Sequence, residues 1–93
     1  MRDADGDLTP AAIELLNIAA VHAPYEMYPL SQLAADLGRE GLVTVAMGQK
    51  RGRLRMWEVT VTEAGWPFVT DLDAAHEWRK RDALKRLGGN VYR

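Results

Sequence analysis

Apolar positions in the first third of the chain repeat with a helical period. Ile13, Leu16 and Ala20 share one face, which Leu15, Ile18 and Ala19 widen. Thr9 is a strong N-cap, and Pro10 suits the first helical position, where its missing N–H costs nothing. Leu8 and Ile13 are spaced for a hydrophobic staple. Pro24 disfavours helical geometry at Ala23, so this helix is expected to end near His22. "APYEMYP", residues 23–29, reads as a turn. Leu30, Leu33, Ala34 and Leu37 then fall at i, i+3, i+4 and i+7, predicting a second amphipathic helix from about Pro29 or Ser31. Gly38 and Gly41 are expected to stop it.

The period next changes to two. Leu42 to Met47 reads as a strand, and Leu54 to Val61 as its partner. In the second strand Trp57, Val59 and Val61 face one way, and Glu58, Thr60 and Thr62 the other. The tip between them is expected at Gly48-Gln49-Lys50-Arg51-Gly52. Thr62 is placed to cap a short turn, and Pro67 prevents one clean helix from Glu63 onward. A last helix is expected from Thr70 or Asp71 to about Leu87, with Gly88-Gly89 as its stop. Its expected buried side is Leu72, Ala75, Ala83, Leu84 and Leu87. The pattern is α+β: two N-terminal helices, a two-stranded hairpin and a C-terminal helix. Residues 1–8 are expected to form a flexible tail and residues 9–93 a single domain.

Composition narrows the setting. The 93 residues are 47% apolar and 27% charged, which fits a small globular domain. There is no cysteine, which excludes disulfides and thiolate metal sites. No apolar run approaches the ~18 residues of a membrane span, and the acidic start is unlike a signal peptide, so a cytoplasmic location is expected. Net charge is −1 and predicts no partner. Its distribution is uneven. Residues 1–47 hold two basic and seven acidic side chains, and residues 48–93 ten basic and six acidic. Such polarity can present one attractive side to an anion, although short charge runs are also ordinary solvated faces.

Two stretches carry a resemblance. "LGREGLV", residues 37–43, resembles the end of a recognition helix running into the first wing strand of MarR-like and PadR-like regulators. "VTVTEAG", residues 59–65, resembles their second wing strand and the turn into the following helix. "LSQLAADLG", residues 30–38, is similar to the small-residue helix that opens many helix-turn-helix units. The likeness covers residues 9–66 and implies a winged helix-turn-helix domain in reduced form, because a full one has three helices before the wing and this chain has room for two. Either residues 29–40 do the work of the recognition helix and the middle helix shrinks to "APYEMY", or the reverse holds. The resemblance implies a small bacterial or phage DNA-binding protein active in transcription regulation, with double-stranded DNA as partner. It also implies dimerisation through the helix after the wing, a homodimer across residues 66–87.

The candidate DNA contacts are Lys50, Arg51, Arg53 and Arg55 on the wing, which would meet phosphates or a minor groove. The competing reading is a solubilising hairpin. Gln32 and Arg39 point outward from the second helix and suit adenine and guanine, but Asp36 beside them repels phosphate. Arg79, Lys80, Arg81, Lys85 and Arg86 wrap around the last helix without forming one stripe, with Glu77 and Asp82 near enough to neutralise part of them. Trp66 and Trp78 are the candidate protein-interface residues, and Trp57 and Phe68 read as packing residues. The second class of function is therefore a winged-helix scaffold that binds protein and has lost DNA. His22 and His76 lack ligand spacing, Ser31 lacks partners for nucleophilic catalysis, and no phosphate loop is present. No metal, no cofactor and no enzymatic activity are expected.

Overall fold

The computed structural model describes residues 1–91, with the side chains of residue 82 and residues 85–91 excepted. Its elements are helix α1 (Pro10–Val21), strand β1 (Tyr25–Met27), helix α2 (Gln32–Arg39), strands β2 (Val43–Arg51) and β3 (Leu54–Val61), a 3-10 turn (Trp66–Phe68) and helix α3 (Leu72–Val91). The fold is α+β, three helices on a three-stranded antiparallel sheet of order β1-β3-β2.

Both N-terminal helices start as their sequence dictates. The Thr9 side chain accepts from the Ala12 N–H, and Ser31 from the Ala34 N–H. α1 buries Ala12, Leu15, Leu16 and Ala19, and α2 buries Ala34 and Leu37. These side chains cover one sheet face, where Val43, Val59 and Val61 are buried. The whole core forms one cluster, joined by Leu8, Leu42, Val69 and Ala75. Gly38 lies inside α2 and packs against β2, where an added Cβ would sit 3.2 Å from Val45. Gly41, with φ +78, is the residue that ends the helix.

The two stretches that bear the resemblance meet in space. The Thr62 N–H donates to the Leu42 carbonyl at 3.1 Å, and the Thr62 hydroxyl to the Gly41 carbonyl at 2.6 Å. The same hydroxyl oxygen accepts from the Gly65 N–H at 3.2 Å, so Thr62 caps the turn after the hairpin as expected. This clasp fixes where the hairpin leaves the helical layer.

Outside the hairpin tip, three features differ from the sequence reading. Residues 25–27 are a strand, pairing Tyr25 with Val59 and Met27 with Trp57, where a turn was expected. A three-residue run between two prolines is too short to show a period of two, and its pairing depends on the distant β3 edge. α3 continues through Gly88 and Gly89 to Val91. Among the described residues of its expected apolar side only Ala75 is buried. Leu72 (84% exposed), Ala83 and Leu84 face outward, and the Leu87 side chain lies outside the described residues. The Cα radius of gyration, 15.0 Å, exceeds the roughly 12 Å of a compact chain this size, consistent with projecting elements.

The first residues close a loop on the domain. The Thr9 N–H donates to the Met1 carbonyl, Asp3 accepts from the Asp5 and Asp7 N–H groups, and Leu8 is buried. Arg2 pairs with Glu40 at 2.6 Å. The Glu40 hydrogen bond, partly opposed by desolvation, raises the guanidinium above its ordinary pKa.

α3 is anchored by a residue that the sequence pattern does not single out. Asn17 on α1 accepts from the Thr70 and Asp71 N–H groups at 2.8 and 2.9 Å, and its amide donates to the Thr70 hydroxyl. Asp71 then caps α3 by accepting from the Ala74 N–H. Asn17→Ala should cost about 0.5–1.5 kcal/mol in urea unfolding, because the Thr70 and Asp71 donors exchange a fixed acceptor for water. An unchanged midpoint would show that α3 is seated by packing alone.

Candidate nucleic-acid interface

The hairpin is longer and tighter than its composition suggests. β2 and β3 pair without a break from Val43↔Val61 to Met47↔Trp57, shift register, and pair again at Lys50↔Arg55 and Arg51↔Leu54. The connection is therefore the two residues Gly52-Arg53, and Lys50 and Arg51 belong to the strand. Gly52 has φ +63, while among the described residues no non-glycine residue has a positive φ. That sign pattern suits a two-residue II′ turn, with glycine first. Gly48, expected to open the tip, lies instead in the bulged region. A Cβ there would approach both the Glu58 Cβ and the Met56 carbonyl at 3.4 Å. Helical cover ends near Val45, since Met47 is 61% exposed and residues 49–55 are exposed throughout. From Met47 to the turn the ribbon extends roughly 15 Å at the usual strand rise.

Strand parity sorts the charges onto two faces. Arg55 precedes Trp57 by two residues on β3, so both point to the helix side of the sheet, and Lys50 faces Arg55 directly. Glu26 and Glu58, themselves a cross-strand pair, point to the other side. Arg51 joins them there, donating through Nε at 3.2 Å and Nη2 at 2.6 Å to one Glu26 oxygen. Among the described residues no ion pair involves Lys50, Arg53 or Arg55. Arg55 reaches only the Gly48 carbonyl, at 3.4 Å. Two cations directly opposite each other destabilise a bare sheet. An anion between them would reverse that.

The outward side of α2 is arranged differently. Gln32 donates to Asp36 at 3.0 Å, and Arg39 pairs with the same Asp36 oxygen. The two candidate base-reading residues are thus turned onto one carboxylate, and the positive charge of Arg39 is offset where it lies.

No protein-family model, curated protein or solved structure matches this chain. What its residues can do therefore rests on their own geometry.

Trp66 and Trp78 stack with ring centroids 5.8 Å apart and planes within 10°. Both are half-buried, and with Ala20, Glu63 and Arg81 they line a groove of about 360 Å³ between α1 and α3. Each indole covers part of the other, which reduces the area either offers to a partner. Phe68 packs against the core, whereas Trp57 is half-buried at the foot of the hairpin. Arg79, Lys80 and Arg81 are exposed, and the side chains of Lys85 and Arg86 lie outside the described residues. Among the described residues no group of three or more His, Asp or Glu assembles for a metal, and no helix is long and apolar enough to cross a membrane.

Sequence reasoning missed the part played by Glu26. It lay in a presumed turn, yet it holds Arg51 and keeps the acidic and basic sides of the ribbon apart. The available signal was its odd company: one carboxylate inside an aromatic run between two prolines.

Proposed function

We propose that this is a small DNA-binding protein that grips the phosphate backbone through its hairpin, with Lys50, Arg53 and Arg55 as the contacting residues. The observation that carries this reading is the sorting of charge on the ribbon. Among the described residues these three exposed cations have no carboxylate partner, and the nearby Glu26 and Glu58 occupy the opposite face. The order α1-β1-α2-β2-β3 with sheet order β1-β3-β2 supports the winged-helix likeness, with one helix between β1 and β2. A modulator of transcription built this way would depend on position more than on base reading, because Gln32 and Arg39 are engaged with Asp36.

The test is a fluorescence anisotropy titration with two unrelated duplexes of equal length at ~50 mM salt, where phosphate contacts are strongest. Comparable affinities for both are expected. A preference of a hundredfold or more would put base reading back on α2, and no binding to either duplex would end the proposal.

A protein contact has its own support on α3. Leu72 and Leu84, 84% and 52% exposed, give this helix apolar surface without cover among the described residues. We read it as the seat of a homodimer, which would double the number of phosphate contacts and raise avidity. Sedimentation equilibrium should show a concentration-dependent dimer that Leu84→Asp abolishes. A monomer at all concentrations would remove this part.

A further inference from the structure

We infer that the helix-side face of the hairpin takes single-stranded nucleic acid, with an unpaired base stacked on Trp57 beside phosphates held by Lys50 and Arg55. The inference rests on the phosphate-binding reading above and names the form of nucleic acid that this site prefers.

The register places the parts. Met47, Trp57 and Met27 lie side by side across the sheet, in that order, on one face. The next cross-strand pair on that face toward the turn is Lys50 and Arg55. An apolar row three strands wide thus borders a cationic pair two strands wide. Tyr25, Met27 and Val45 pack against the core, but Trp57 does not join them, and its neighbour Met47 is 61% exposed. Half-buried Trp57 and exposed Met47 lie next to two cations that have no carboxylate partner among the described residues. They suit a nucleotide, whose base is flat and apolar on its faces and whose phosphate is anionic.

Duplex DNA can use only half of this arrangement. Its bases are stacked on one another, so Trp57 would meet sugar edges, and Lys50 and Arg55 alone would bind. A single strand can turn a base onto the indole while its backbone follows the cations. Stacking on an aromatic side chain tolerates every base. The site would therefore be indifferent to sequence, in keeping with the engaged state of Gln32 and Arg39. Glu26 and Glu58 on the reverse side make the ribbon one-sided, which leaves a single face for the strand.

Three fluorescein-labelled probes of about 12 nucleotides separate the contributions: oligodeoxythymidylate, the same backbone with abasic sugars throughout, and a mixed-sequence duplex. At ~50 mM salt the thymidylate strand should bind about tenfold or more tighter than the abasic strand, the phosphates being equal and only the bases differing. Trp57→Ala should bring the two strands to the same affinity, and Trp57→Phe should restore part of the difference. Thermal melts confirm that each variant folds, and the wild-type comparison of strands decides the matter should Trp57→Ala fail to fold. Equal binding of the thymidylate and abasic strands by the wild type overturns the stacking inference and leaves the phosphate reading in place. Absence of binding to all three probes removes both.

Discussion

Gly65→Ala is expected to cost about 3 kcal/mol and to lower the melting temperature by roughly 12–24 °C, the largest effect among glycine-to-alanine changes at the described residues. An ideal Cβ at Gly65 would lie 2.1 Å from the Leu42 carbonyl oxygen and 3.0 Å from Val61. The obstacle is backbone, which cannot rotate aside like a side chain. That carbonyl also accepts from the Thr62 N–H, so moving it loosens the clasp between the two resembling stretches. Backbone preference is not the cause, because Gly65 has φ −83 and ψ −28, a conformation any residue adopts. Gly41→Ala is the contrast. Its surroundings are open but its φ is +78, so only conformational strain of about 1–2 kcal/mol is expected. Differential scanning calorimetry of both variants checks the pair. A Gly65→Ala protein that melts with the wild type would mean the clasp is not closed as described.

The triple variant Lys50→Ala, Arg53→Ala, Arg55→Ala should lose DNA affinity on the order of 10³-fold at ~50 mM salt. Three neutralised phosphates give a salt slope near −2.7 per protomer, and that slope extrapolated to 1 M sets the size of the electrostatic contribution for each protomer. Arg51→Ala should behave otherwise. Its guanidinium is held by Glu26 on the opposite face, so affinity and slope should change little. What should suffer is the ribbon, because Glu26 and Glu58 then face each other unrelieved. Isothermal titration of the two proteins against one duplex distinguishes these outcomes. An Arg51 variant as defective as the triple variant would show that the charges on the ribbon are not sorted by face.

Local rules were enough for several elements. Thr9-Pro10 starts α1, Ser31 caps α2, and alternation from Trp57 to Val61 gives β3 its buried and exposed sides, all from residues near in sequence. Features created by distant pairing were hidden. β1 exists because β3 has a second edge. Asn17 matters because the chain returns to it more than fifty residues later. The tip was misplaced because Gly48 looks like a turn residue in one dimension and is a bulge in three. The cations themselves were legible, yet which of them are free was not. That depended on Glu26, whose strand position assigns Arg51 to one face, and on the parity that leaves Lys50 and Arg55 on the other.

The most direct measurement is the affinity of the wild-type protein for one labelled duplex between ~50 and ~200 mM salt. Three hairpin contacts per protomer predict a fall of about 40-fold over that range for a single bound protomer, and a steeper fall where both protomers of a dimer engage the duplex. A flat salt dependence, or no binding at the lowest salt, would contradict a hairpin that holds a polyanion.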